Sequence, residues 1–153
     1  VLHCGPGAMI GGLAAAGLHG LRNWERDDVL VIVSNDASFE PVAGFSRAVV
    51  VGATVHVAGT APIPPDGAPT PESAYEQARL CLSIIAEALG RAGSSVQDVV
   101  RTRMFITDAA HWDDVSRAHG DVFRDVRPAA TCVVTSLLDP SWKVEIEAEA
   151  VIG

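Results

Sequence analysis

The sequence predicts an α+β fold, a mixed sheet with two helices on one face, and three observations lead there. The apolar pattern changes period along the chain in the order strand, hairpin, helix, strand, helix, strand, strand. The last strand alternates strictly, with Val144, Ile146, Ala148 and Ala150 on one side and Lys143, Glu145, Glu147 and Glu149 on the other. A sheet with one apolar and one charged face asks for helices on the apolar side. Finally, 153 residues suffice for one domain with a proper core and are too few for two of ordinary size.

Each element has its own local reason. Residues 1–30 are Gly/Ala-rich without strand alternation and are expected to form an N-terminal extension, flexible or foreign to the natural protein, ahead of a single domain over residues 31–153. Val29 to Ser34 (VLVIVS) is a β-branched run and reads as a first strand, and Asn35 to Gly44 reads as a loop. RAVVV, Gly52-Ala53 and TVHVAG then form a hairpin, with glycine where the turn needs positive φ. Four prolines and a glycine make Thr60 to Thr70 a loop. Pro71 to Gly93 is the clearest helix, capped by Thr70, with Ala74, Ala78, Cys81, Ile85 and Ala88 on one face and Gly93 ending it.

Val96 to Asp108 reads as a long strand, and Ala110 to about Arg124 as a second helix with Trp112, Val115, His119 and Val122 on its stripe. Thr131 to Ser136 and Lys143 to Ile152 are the last two strands, separated by the turn at Leu138–Ser141. In the strand after Val99, Arg101, Arg103 and Phe105 share a face opposite Val100, Thr102, Met104 and Ile106. Two strands thus bring charges of opposite sign to the helix-free face, which is either a solvated surface or an interface between subunits.

Composition removes several function classes. A formal charge of −8, with 11 scattered basic residues, argues against a nucleic-acid partner, because phosphates need clustered Lys and Arg. Cys4, Cys81 and Cys132 have no ligand spacing and read as small buried hydrophobes in a reducing compartment. The five histidines show neither an HExxH pair nor a cysteine neighbour at zinc spacing, so no metal site is expected. No run reaches the roughly 20 apolar residues of a membrane span, and Ala8 to Leu21 is broken by glycines with no basic segment before it. The expected location is cytoplasmic.

The stretches GFSRAVVVGATVHVAGTAPI, ARLCLSIIAEALGRAGSSVQDVVRTRMFITD and RPAATCVVTSLLDPSWKVEIEAEAVI resemble successive blocks of the Rid (YjgF/reactive-intermediate deaminase) family, in order and spacing. The resemblance runs from about Phe39 to the C-terminus. It implies a chorismate-mutase-like fold assembled as a homotrimer, with a substrate cleft between neighbouring subunits and the helix-free sheet face lining the trimer interior. The best-known branch hydrolyses small reactive enamines and imines, such as 2-aminoacrylate, to a keto acid and ammonia without a cofactor.

Carried over residue by residue, the resemblance makes Glu145 the catalytic carboxylate that positions the attacking water. Phe45, Gly59, Thr60, Ala130, Thr131 and Cys132 fall at cleft positions. Phe45 stands where the family has a tyrosine, Ala58 and Thr60 stand for Ser and Gln, and Ser116 lies where asparagine is common. The largest departure is Ala130, in place of an arginine that forks onto the substrate carboxylate. A methyl group offers no charge-assisted bond, and losing one at about 1.5 to 3 kcal/mol weakens binding of such a substrate roughly ten- to a hundredfold.

Two functional readings follow. One is an enamine or imine deaminase acting on a small metabolite, with Glu145 as acid/base. The other is a non-catalytic trimer that binds a metabolite or a protein partner, with Glu145 tied in an ion pair to Arg101 or Arg103. Cys132 as a reactive thiol is the weakest reading, since no basic residue stands near it in sequence. Trp112 and Trp142 read as packing or rim residues.

Overall fold

The computed structural model describes residues 29–33, 43–64 and 67–153. The readings of residues 1–28 and of most of the Asn35–Gly44 loop lie outside them. The elements are β1 (Val29–Val33), β2 (Ala48–Val51), β3 (Thr54–Thr60), α1 (Ala74–Arg91), β4 (Val99–Ile106), α2 (Trp112–Phe123), β5 (Ala129–Val134) and β6 (Val144–Val151). They form one six-stranded sheet in the order β1-β2-β3-β6-β4-β5, antiparallel except for the parallel β4–β5 pair. The fold is the expected α+β one, and β6 runs through the middle of the sheet between β3 and β4.

The hairpin closes where the glycine sits: Val51 pairs with Thr54, and Gly52 takes φ +57°. Helix α1 starts later than the sequence suggests. Its cap is Ser73, not Thr70, because the Ser73 hydroxyl accepts from the Glu76 amide at 3.1 Å and bonds the Glu76 carboxylate at 2.8 Å. Its end is a Schellman turn. The Ser94 amide donates to the Leu89 carbonyl and the Gly93 amide to the Gly90 carbonyl, with Gly93 at φ +79°. The expected buried face, Ala74, Ala78, Cys81, Ile85 and Ala88, is buried in full.

The sheet face under the helices is equally regular, with Val144, Ile146, Ala148 and Ala150 of β6 all buried. Two departures have local causes. Val96–Asp98 is a 3-10 turn rather than strand, because the Asp98 carboxylate accepts from the Ser95 amide and hydroxyl, both at 2.9 Å, and curls the chain. Val100 lies 47% exposed rather than sharing the face of Thr102. Val99 pairs with Ala150 and Arg101 with Glu149, so Val100 is the extra residue of a β-bulge and the parity flips there.

Helix α2 buries Val115, Ala118 and Phe123, whereas Trp112 is exposed. His119 lies against the Phe123 ring, with centroids 4.6 Å apart, and its Nε2 is 2.9 Å from the Thr102 hydroxyl of β4. Burial lowers the His119 pKa below its ordinary 6.5. Unfolded chains therefore bind the proton more readily, so this contribution to stability is intact above about pH 6.5 and is lost as pH falls toward the lower folded value. Denaturant titrations from pH 7.5 to 5.5 are expected to show the wild type losing more stability than His119→Gln; equal losses would remove His119 as the cause.

A buried amide ties the helix to the far loop. The Gln77 side chain donates to the carbonyls of Pro71 (2.7 Å) and Ser141 (2.9 Å), and its oxygen accepts from the Lys143 amide at 2.7 Å. This fixes the turn before β6, which carries Leu138 and Trp142, against the start of α1.

Candidate functional site

Strand β3 does not pair evenly with β6. Val57 pairs with Ala148 and Thr60 with Ile146, so three steps on β3 face two on β6 and a bulge forms at Ala58–Gly59. Across it lies Glu145. A side-chain carbon added at Gly59 would run into the Glu145 Oε1 atom, far inside van der Waals contact. The carboxylate therefore occupies space that only a glycine leaves open.

Glu145 opens into a cavity of about 990 Å³ bounded by the hairpin, α1 and the turn before β6. Phe45, Gly59 and Thr60 line it beside Glu145, and Ile84, Leu138 and Trp142 make it largely apolar. Four of the residues expected at the site thus meet in one place, and Trp142 lines it with them. Burial pushes the Glu145 carboxyl above the usual carboxylate range, the Arg47 charge pulls it back, and Glu147 adds to the rise.

The ladder of glutamates on β6 divides in two. Arg103 pairs with both Glu147 and Glu149, the latter at 3.1 Å, and Arg101 approaches Glu149 at 3.9 Å. Glu145 instead stands opposite Phe105. The ion pairs of Arg101 and Arg103 go to the two later glutamates of the helix-free face.

The remaining three expected residues lie elsewhere on the protomer. Ala130 and Thr131 are exposed on β5, which pairs with β4 and forms the sheet edge among the described residues. Cys132 lines a shallow depression with Ile106, Trp112, Val133 and Val134. Burial raises the Cys132 thiol pKa, which keeps it protonated and works against the reactive-thiol reading. Within one subunit, then, the expected site residues fall into two groups.

Sequence reasoning missed Arg47. It is buried, lines the same cavity, and its Nη1 donates to the Thr60 hydroxyl at 2.7 Å and the Gly59 carbonyl at 3.2 Å. Its partners lie 12 and 13 residues away in the chain, so no local pattern announces it. Among the described residues no three His, Cys, Asp or Glu side chains converge as metal ligands would, and no helix is long and apolar enough to cross a membrane.

Comparison with known proteins places this geometry. The model of the family described as Endoribonuclease L-PSP matches residues 35–152. SCO2049 of Streptomyces coelicolor is 34% identical over 122 residues, covering 79% of this chain and 91% of its own. TdcF of Escherichia coli, named as a candidate reactive intermediate deaminase, is 29% identical over 113 residues, covering 72% of this chain and 88% of its own. Among solved structures, Rv2704 of Mycobacterium tuberculosis, a member of the YjgF/YER057c/UK114 family, superimposes with a TM-score of 0.73 at 40% identity over 80% of this chain and 98% of that one. The crystal structure of E. coli TdcF with bound serine matches at a TM-score of 0.67 and 29% identity, over 71% of this chain and 88% of that one. With its fold, its family model and these relatives in agreement, the chain belongs to the Endoribonuclease L-PSP family, the YjgF/Rid proteins.

Proposed function

We propose that this protein is a hydrolytic deaminase of small enamines and imines, working as a homotrimer without a cofactor. The observation that carries this reading is the half-buried Glu145 carboxylate, seated on Gly59 in a largely apolar cavity and with its pKa raised by burial. A carboxylate tuned upward is better suited to take a proton from water and return it near neutral pH. An enamine first becomes the protonated imine, an iminium ion, by taking a proton at carbon. Glu145 then accepts a proton from a water whose oxygen adds to the imine carbon, and the C=N electron pair moves to nitrogen. The resulting carbinolamine takes that proton on nitrogen, its hydroxyl gives its own proton to Glu145 as the C–N bond breaks, and a carbonyl and ammonia leave.

The division of the expected residues into two groups supports the trimeric part of the proposal. In the assembly, the exposed β5 of one subunit, with Ala130, Thr131 and Cys132, closes the cavity of its neighbour around Phe45, Gly59, Thr60 and Glu145. The ligand is a small metabolite rather than a nucleic acid, in keeping with the net charge of −8.

One observation favours a second reading, a trimer that binds a metabolite or protein partner without turning it over. Ala130 presents a methyl group where an arginine would fork onto a substrate carboxylate. The two readings separate in an assay of keto-acid release from 2-aminoacrylate generated in situ, with wild type beside Ala130→Arg. The deaminase reading expects wild-type turnover, and tenfold or more improvement for Ala130→Arg through a lower KM. No turnover by either protein, across substrates with and without a carboxylate, favours the binding module.

A further inference from the structure

We propose that Arg47 is the positioning residue of this site: it braces the β-bulge on which Glu145 rests and presents its positive charge to that carboxylate. The inference builds on the reading of Glu145 as the working group of the cavity. A guanidinium is costly to bury unless its hydrogens and its charge are both met. Here Nη1 reaches the Thr60 hydroxyl at 2.7 Å, the Gly59 carbonyl at 3.2 Å and the Ala58 carbonyl at 3.5 Å. The Thr60 hydroxyl in turn donates to the Ala58 carbonyl at 2.9 Å. Ala58 and Gly59 are the bulge itself, and Thr60 is where pairing with β6 resumes. One side chain thus gathers the oxygens of the bulge and keeps the glycine facing Glu145.

The same placement acts on charge. Arg47 opposes the rise that burial imposes on Glu145. The other groups around the carboxylate do not share that role. Glu147, next on the same face of β6, is paired with Arg103 and adds negative charge. The in-register neighbour on β4 is Phe105. From α1, Cys81 is buried with its thiol pKa pushed up, first by burial and then by Glu145 itself. Glu87 and Arg91 of α1 both line the cavity and carry opposite charges. A mere brace would fix the loop and leave the Glu145 titration alone; a positioning residue does both.

The test is a carbon-13 NMR titration of the full chain carrying carboxyl-labelled glutamate, with Glu145→Gln assigning the resonance. Arg47→Gln is expected to raise the Glu145 midpoint by about one pH unit, and Arg47→Lys to restore most of it. A midpoint unchanged in Arg47→Gln overturns the proposal. Should that variant fail to fold, Thr60→Val serves. It keeps the charge, removes its shortest anchor, and is expected to raise the midpoint by a smaller amount; no rise overturns the proposal equally. The titration does not depend on turnover. A raised midpoint in a protein that hydrolyses no imine leaves Arg47 in its role and removes the hydrolase reading instead.

Discussion

Gly59→Ala is expected to abolish turnover while leaving the domain folded. The three atoms nearest the added methyl all belong to the Glu145 side chain, whose Cδ would lie at 3.4 Å and whose Oε1 would clash outright. That carboxylate is the far end of a flexible side chain, so it moves aside at little energetic cost. Gly59 has no positive φ to defend, and alanine is slightly better than glycine in a strand, by roughly 0.5 to 1 kcal/mol. Thermal melting should therefore stay within a few degrees of wild type. The catalytic loss should be large, because general acid–base action contributes about a hundred- to ten-thousandfold and depends on hydrogen-bond reach. We expect kcat/KM to drop by roughly a hundredfold or more. Loss of melting temperature in parallel with activity would mean that the substitution unfolds the bulge rather than displacing the acid/base.

The largest effect on stability is expected at Gln77. Gln77→Ala strands the Pro71 and Ser141 carbonyls and the Lys143 amide, three groups now satisfied by one buried side chain. Each unsatisfied buried group costs about 1 to 3 kcal/mol, and water reaching the turn offsets part of the sum. A net loss of about 3 kcal/mol is expected, which lowers the melting temperature by roughly 6 to 12 °C for a domain of this size. Equilibrium denaturation measures it directly. Because the same amide fixes the turn that bears Leu138 and Trp142, the variant should also bind cavity ligands more weakly at temperatures where it remains folded. A Gln77→Ala protein as stable as wild type would show that these three contacts are dispensable.

Much of the fold was legible because side-chain period states burial directly. The alternation of β6 names its buried set residue by residue, and the three- and four-residue spacing on α1 names residues that are all buried while missing Gln77, Leu82 and Leu89. The hairpin was legible from one glycine at the point where the chain needs φ near +57°. What escaped was set by single local competitors. Ser73 caps α1 in place of Thr70 because Glu76 stands three residues beyond it and answers its hydroxyl. The start of β4 was overrun by the Ser95–Asp98 turn, and one inserted residue at Val100 reversed the parity that alternation assumes.

The site was half legible. Resemblance picked out Glu145, Gly59, Thr60 and Phe45, and they line one cavity. It also picked out Ala130, Thr131 and Cys132, which no motif can assign to the same or a different subunit. Arg47 was invisible for a different reason. At the head of a strand an arginine reads as a polar flank, and its burial is decided by a bulge that exists only once β3 and β6 have paired. The glutamates of β6 look equivalent in sequence, yet two meet arginines and one meets a glycine and a phenylalanine.

The central claim is that Glu145 handles the proton of the attacking water. The most direct test is the rate of keto-acid and ammonia release from an imine generated in situ, compared between wild type and Glu145→Gln. Glutamine fills the same seat against Gly59 but cannot take up and return a proton. A loss of about a hundredfold or more in kcat, with an intact fold and retained ligand binding, is the predicted result. Equal rates for the two proteins would contradict it.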